Sequence, residues 1–286
     1  MIRTALTAAA LAALALAAPS AAQTPQTPPA ETAPGPNDWR APDPQDILVI
    51  DTNKGRIIVE ITPTTAPLHA PRIRELTRKG VYDGRTFFRV IDGFMAQTGD
   101  PLDNGTGESD LPNLPAEFTF RRGTDTPMVV ADDQSVAELG FIGPVPVISQ
   151  SSMLMPMTAD GKVNAWGLFC PGVAGMARGS EPDSANSQFF LMRDEYPKLE
   201  KRYTIWGRVI SGLDVVRALK TGEPVDPPQD KMTKVQLLAD MPAAERPKIR
   251  VIDPKGPWFQ AEIARNKALN GGHISPCGVK IPVEVK

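Results

Sequence analysis

Glycine and proline set the limits of this chain. With 23 glycines and 30 prolines among 286 residues, the stretch from Ile47 to Ala239 is cut into apolar runs of strand length, too short for most helices. Ile47–Asp51 and Arg56–Ile61 are β-branched runs joined by Thr52-Asn53-Lys54-Gly55, which predicts a hairpin. Further strands are expected around Thr86–Val90, Met95–Thr98, Ala116–Phe120, Gly172–Met176, Gln188–Met192, Thr204–Val209 and Lys234–Ala239. Helical spacing occurs twice in this stretch. One helix is expected between Pro67 and Lys79, regular from about Ala70 with Pro71 in its first turn and Gly80 beyond its end. The second is expected over Leu213–Lys220, with Ser211 before it and Gly222 after. Many short strands with two helices suggest a closed β-barrel with helical caps, although a sandwich satisfies the same pattern.

The two ends of the chain read differently. Residues 1–22 have the form of a signal peptide: Arg3 as the basic start, an uncharged stretch from Ala5 to Ala18, and small residues at Ser20-Ala21-Ala22. This stretch is too short to span a bilayer. Cleavage is expected after Ala22, giving a periplasmic or secreted protein. Residues 23–46 carry seven prolines among small polar residues and are expected to form a disordered tether. Beyond Pro242 lie a strand-like run at Ile249–Ile252, a helix over Pro257–Leu269 and a last run at Val279–Val285, expected to pack on the domain as a C-terminal extension (241–286). The formal net charge of −2 argues against nucleic acid or an anionic membrane as the main partner, because both call for a basic face. No later segment has the roughly 20 apolar residues of a membrane span. The two cysteines, Cys170 and Cys277, are expected to pair in an oxidising compartment. The alternative is a metal site using His273 and Cys277, which needs further ligands.

The most informative segment is Thr86-Phe87-Phe88-Arg89-Val90-Ile91-Asp92-Gly93-Phe94-Met95-Ala96-Gln97-Thr98-Gly99-Asp100. Periodicity explains its strands but not its mixture of residues. It resembles the signature of the cyclophilins, Phe-His-Arg-Val-Ile-x-Gly-Phe-Met-x-Gln-Gly-Gly-Asp. Gly175-Met176-Ala177-Arg178, followed by Asn186-Ser187-Gln188-Phe189-Phe190, is similar to a second family motif, and Leu199–Gly207 to a third. The three occur in family order over roughly 46–124 and 172–240. The resemblance implies a mainly β fold, a closed antiparallel eight-stranded barrel capped by two α-helices over 47–240, and peptidyl-prolyl cis-trans isomerase activity. It implies no cofactor and no metal. The implied partners are proline-containing peptides and unfolded exported proteins, and the expected state is a monomer.

Each role implied by the resemblance falls on a numbered residue. Arg89 stands at the catalytic arginine position, and Gln97 matches the residue that orients it. Phe94, Met95, Phe190 and Leu199 match the apolar pocket for the proline ring. Ala177 and Arg178 match the pair whose backbone binds the extended substrate, with Gln188 beside the same groove. Tyr203 stands where many members have histidine, and its phenol can still donate a hydrogen bond. Taken singly, each has a plainer reading: an arginine on a strand is usually a surface charge, and Phe or Met at strand spacing is usually core.

The sequence also departs from the family. Phe88 replaces a histidine, Thr98 a glycine, and Trp206 a phenylalanine. Lys198 stands where many eukaryotic members have the tryptophan that helps bind cyclosporin. An insertion over 125–171, rich in Gly, Pro and Met (Met153, Met155 and Met157), lies outside the family pattern. A loop this long is usually functional or disordered; its methionines are expected either to fill a small core of their own or to offer a soft apolar rim to unfolded clients. If it blocked the groove, the chain would be a proline-peptide binding module or holdase rather than an enzyme. A hydrolase would need a Ser or Cys nucleophile with a His base, and neither His69 nor His273 sits in a recognisable motif.

Overall fold

The computed structural model describes residues 30–286; the signal-peptide reading and the start of the tether lie outside them. Residues 36–46 are not the tether expected. Pro36 and Pro44 each open a 3-10 turn, and between them β1 (Trp39–Arg40) pairs with Ile252 and Val251. Prolines in the flanking turns leave a short edge strand free to pair.

The predicted hairpin forms from β2 (Ile47–Thr52) and β3 (Gly55–Ile61), closed by Thr52 Oγ1 donating to the Gly55 carbonyl at 2.7 Å. Helix α1 (His69–Arg78) buries Ile73 and Leu76, and its proline lies in the first turn, where no N–H partner is needed. The strand expected from Thr86 starts three residues later, as β4 (Arg89–Ile91). The Thr86 N–H is taken by Asp103 Oδ1 at 2.7 Å and the Phe87 N–H by the Asp230 carbonyl at 2.8 Å, so these residues bond to loops instead of a ladder. β5 (Met95–Thr98) completes a second hairpin through Gly93, whose φ of 64° suits glycine.

The insertion is an ordered sheet, and it begins earlier than the sequence suggested. β6 (Phe120–Arg122), the displaced form of the strand expected at Ala116–Phe120, joins β7 (Val129–Gln134), β8 (Ala137–Ile142), β9 (Val145–Gln150) and β10 (Val163–Gly167) in the order β6-β10-β9-β8-β7. A buried Arg122–Glu138 pair, with Ser149 Oγ 3.0 Å from Arg122, ties three of its strands together. The chain then returns through β11 (Val173–Met176), β12 (Phe189–Met192), β13 (Ile205–Ser211), α2 (Leu213–Ala218) and β14 (Met232–Leu237). Helix α2 follows Gly212 at φ 87° and has no side-chain cap, so Ser211 is not the cap expected.

Eight strands form one curled sheet in the order β14-β2-β3-β13-β11-β12-β5-β4. The sheet is not the closed barrel expected, because the edge strands β14 and β4 do not pair. Isolated bridges, Thr86 with Lys231 and Val90 with Gly222, and single backbone hydrogen bonds such as Phe87 N–H to the Asp230 carbonyl span the seam in place of a continuous ladder. The intervening segment carries Pro224, Pro227 and Pro228, which have no N–H to extend a ladder. The concave side holds the main core, with Leu48, Ile50, Ile57 and Val59 packed against α1 and Trp206 fully buried.

The extension supplies β15 (Ile249–Ile252), a third helix α3 (Pro257–Leu269) and β16 (Val283–Val285). Its sheet, in the order β1-β15-β16, lies over the outer side of the first hairpin, where Ile47, Val49 and Ile58 meet Leu238, Met241 and Val251. Phe259 of α3 packs edge-on against Phe141 of the insertion, with ring centroids 5.2 Å apart. Cys170 and Cys277 form a disulfide, their Cα atoms 5.0 Å apart. That spends the sulfur which a His273–Cys277 metal site would need. Among the described residues no helix is long and apolar enough to cross a membrane.

Candidate active site

The site lies where β4, β5 and β12 run side by side. Register places Arg89 opposite Gln97, and Gln97 opposite Phe190. Arg89 Nη1 donates to Gln97 Oε1 at 3.2 Å. Because arginine can only donate, this contact fixes the Gln97 amide, whose Nε2 then donates to Gln188 Oε1 at 3.0 Å. Gln188 in turn donates to the carbonyls of Gly107 (2.9 Å) and Gly105 (3.2 Å). Five polar groups thus form one directed chain, with the guanidinium at its head.

Beneath the guanidinium is a cavity of about 100 Å³. Met95, Phe190 and Leu199 form its buried apolar part, at 2%, 5% and 8% exposure. Phe94 and Tyr203 stand at its edge; Phe94 packs on Tyr196 at 4.5 Å, and Tyr203 meets Phe190 edge-on at 5.9 Å. Ala177 and Arg178 close another side. The Ala177 N–H is already taken by the Gln188 carbonyl at 2.9 Å. The Arg178 guanidinium is folded back over the Tyr203 ring, 4.6 Å from its centroid, and donates to the Arg202 carbonyl at 3.1 Å. A second cavity of about 180 Å³ adjoins the first, sharing Gln97, Ala177 and Arg178 and walled by the 105–108 loop.

That loop is organised by Asp100, which is fully buried. Its carboxylate accepts the N–H groups of Leu102 at 2.8 Å, Asn104 at 3.0 Å, and Gly105. Burial pushes the Asp100 carboxyl up, but the N–H groups of Leu102, Asn104, Gly105 and Gly107 together outweigh it and hold the group below the usual carboxylate range.

All ten of the candidate catalytic and binding residues gather in these two adjoining cavities. Sequence reasoning missed the contributions of Phe169, Cys170 and Glu223 to the site. Phe169 and Cys170 of the insertion lie under the pocket, in the same apolar cluster as Met95, Phe190 and Leu199. The insertion therefore floors the site and does not occupy it. Glu223 reaches Arg89 from a loop 134 residues away, and no local pattern marks it.

Residues 47–238 match the family model described as cyclophilin type peptidyl-prolyl cis-trans isomerase. The chain belongs to the cyclophilins. It is 34% identical to a Brucella abortus protein named "Probable peptidyl-prolyl cis-trans isomerase" over 215 residues, covering 70% of this chain and 86% of that one. A Brucella suis protein of the same name is 33% identical over the same shares. Among solved structures, the cyclophilin AquaCyp293 from Hirschia baltica superposes with a TM-score of 0.80 at 34% identity, covering 87% of this chain and 94% of that one. That coverage exceeds the family-matched segment, so the likeness extends into the residues that flank 47–238.

This cyclophilin accommodates its departures locally. Thr98 is fully buried, and its Oγ1 donates to the Thr86 carbonyl at 2.8 Å, pinning the segment before β4 to β5. The turn glycine is still supplied by Gly99, at φ 80°, where an added Cβ would lie 2.7 Å from the Ser187 carbonyl oxygen. Trp206 is core, edge-on to Phe189 at 5.4 Å. Lys198 extends over the Tyr196 ring at 5.9 Å and gives the pocket no indole.

Proposed function

We propose that this cyclophilin accelerates rotation about Xaa-Pro bonds in exported proteins, with the Arg89 guanidinium donating to the prolyl nitrogen of the twisted amide. The observation that carries this reading is the placement of a hydrogen-bonded guanidinium over a small apolar cavity. An Xaa-Pro amide is held planar by a barrier of about 18–20 kcal/mol. On twisting, the prolyl nitrogen becomes pyramidal and regains its lone pair. A donor aimed at that nitrogen binds the twisted state and gains nothing from the planar one, which is differential binding. A thousandfold acceleration requires about 4 kcal/mol. One charge-assisted hydrogen bond contributes roughly 1.5–3 kcal/mol, and the water-poor walls of Met95, Phe190 and Leu199 strengthen it.

In this reading the proline ring enters the apolar cavity. The carbonyl before it meets Gln97, and the extended peptide runs along the backbone of Ala177 and Arg178 beside Gln188. Reading residues 1–22 as a signal peptide sends the protein to the periplasm or the medium. The Cys170–Cys277 disulfide supports that compartment, since such bonds persist under oxidising conditions.

The test is cis/trans exchange of a short Xaa-Pro peptide by NMR with wild type and Arg89→Ala. Loss of one charge-assisted bond predicts a roughly 10- to 150-fold lower kcat/KM for the variant. Equal rates for the two proteins would remove Arg89 from the mechanism. A wild type that binds the peptide without raising its exchange rate would be a binding module.

A further inference from the structure

The loop after α2 faces Arg89 from across the seam of the sheet. Glu223 Oε1 accepts the Nε–H of the guanidinium at 2.6 Å, and Nη2 lies 2.6 Å from the same oxygen as part of the ion pair. We infer that Glu223 is a positioning residue for the isomerase reaction: it locks the rotation of the Arg89 side chain and selects which N–H groups face the substrate. This rests on the reading of Arg89 as the donor to the prolyl nitrogen.

Three observations support the assignment. The first is the arithmetic of donors. A guanidinium has five N–H groups. Glu223 takes the one on Nε and pairs with Nη2 through charge, and Gln97 takes one on Nη1. At least one N–H on each terminal nitrogen remains. With both edges of the plane held, these are presented in a fixed direction, beside the pocket that Arg89 lines. A flexible side chain with a free rotor would have to be ordered anew at each turnover.

The second is how the loop is held. The Gly222 N–H and carbonyl pair with the Val90 carbonyl and N–H at 2.8 and 2.9 Å, and the Val225 N–H donates to the Phe88 carbonyl at 2.8 Å. The loop is thus bonded to the residues immediately before and after Arg89. Glu223 sits between those anchors, so its carboxylate is placed opposite the guanidinium by backbone, independently of the ion pair itself. Gly222 is needed for this path, since an added Cβ would come within 2.6 Å of Val225 Cα.

The third is exposure. The Glu223 side chain is 56% exposed and that of Arg89 35%. A pair this wet contributes little to folding, so stability alone gives the contact no purpose. The pair also has an opposing electrostatic effect. A carboxylate beside the guanidinium partly cancels the positive charge that attracts the prolyl lone pair. Water screens that long-range term at such exposure, whereas the geometric restraint is not screened, so positioning dominates.

The test compares wild type, Glu223→Ala, Glu223→Gln, Arg89→Ala and the Arg89→Ala/Glu223→Ala double variant on an Xaa-Pro peptide. Glu223→Ala is expected to lower kcat about three- to tenfold with KM nearly unchanged. Glu223→Gln, which keeps the acceptor oxygen without the charge, should recover most of that loss. The Arg89 Nε–H resonance should lose its protection from solvent exchange in Glu223→Ala and keep part of it in Glu223→Gln. In the Arg89→Ala background the Glu223 substitution should have no further effect. Wild-type kcat in Glu223→Ala, a raised kcat in both Glu223 variants, or a loss that persists without Arg89 would each overturn the assignment. Full activity in Arg89→Ala would instead overturn the reading beneath it.

Discussion

Asp100 shows how one buried side chain builds a surface. Its carboxylate gathers the successive N–H groups of the loop that walls the second cavity, and the Gly105 and Gly107 carbonyls of that loop then hold Gln188. Asp100→Asn would put an amide NH₂ among groups that only donate. The expected cost is about 2 kcal/mol at neutral pH, or about 4–8 °C in thermal midpoint for a domain of this size. The pH dependence follows from the sign of the shift. The unfolded carboxyl titrates near about 3.9, and the native one lies lower. Its contribution is therefore complete above the unfolded value and is lost as pH falls through the native one. The difference in midpoint between wild type and Asp100→Asn should be flat from pH 7 to 5 and shrink below about pH 4. Thermal unfolding across that range checks it; a difference that persists unchanged into strong acid would exclude this account.

At the scale of elements, α1 begins without a local side-chain cap. Glu117, far along the chain, does that work: Oε1 accepts the Leu68 N–H at 2.9 Å, and Oε2 accepts the His69 N–H at 3.0 Å and contacts His69 Nδ1 at 2.6 Å. His69 is fully buried, so Glu117→Ala would strand a polar ring nitrogen as well as uncap the helix. A loss of about 1–3 kcal/mol is expected, read as a lower urea midpoint at unchanged slope. An unchanged midpoint would mean that water replaces the carboxylate at no cost.

The same scale explains what was legible. The pocket residues could be named because they lie in short runs whose spacing matches the sheet: Arg89 and Gln97 stand eight residues apart and meet across one hairpin. Helix α1 was placed to within about a residue because Pro71 and Gly80 punctuate it. The insertion was illegible as a sheet because Pro146 and Gly140 interrupt its strands. Pro146 is tolerated near the start of β9, where β10 does not reach and the Leu168 N–H meets the Pro146 carbonyl at 3.0 Å. Of its methionines Met155 is buried, while Met153 and Met157 are 77% and 82% exposed and so do not fill a core of the insertion. Glu223, Glu117 and the open seam depend on contacts between distant loops, which no window of sequence contains.

Across the whole molecule, the disulfide joins the two additions to the family pattern within the apolar cluster that also supplies the pocket walls. Cys170 belongs to the cluster that includes Phe190 and Leu199, with Cys277 packed against it. The cross-link spans 107 residues, for which the chain-entropy model gives up to about 4.7 kcal/mol, against a typical 2–4 kcal/mol. Cys170→Ser/Cys277→Ser, or reduction of the wild type, should lower the thermal midpoint accordingly. It should also lower kcat/KM, because the floor of the pocket loses its tie to the extension. A reduced protein with unchanged midpoint and turnover would show that packing alone holds the floor.

The small sheet formed by β1, β15 and β16 has a consequence for anyone who handles this protein in pieces. The family-matched stretch, 47–238, looks like the natural unit to excise, yet the outward side of its first hairpin is as oily as its interior. Ile47, Val49 and Ile58 are all at most 2% exposed only because the flanking segments cover them. Trimmed to the recognisable region, the chain would keep every pocket residue and acquire a sticky flank. The limits of the recognisable domain and the limits of a well-behaved protein therefore fall at different residues.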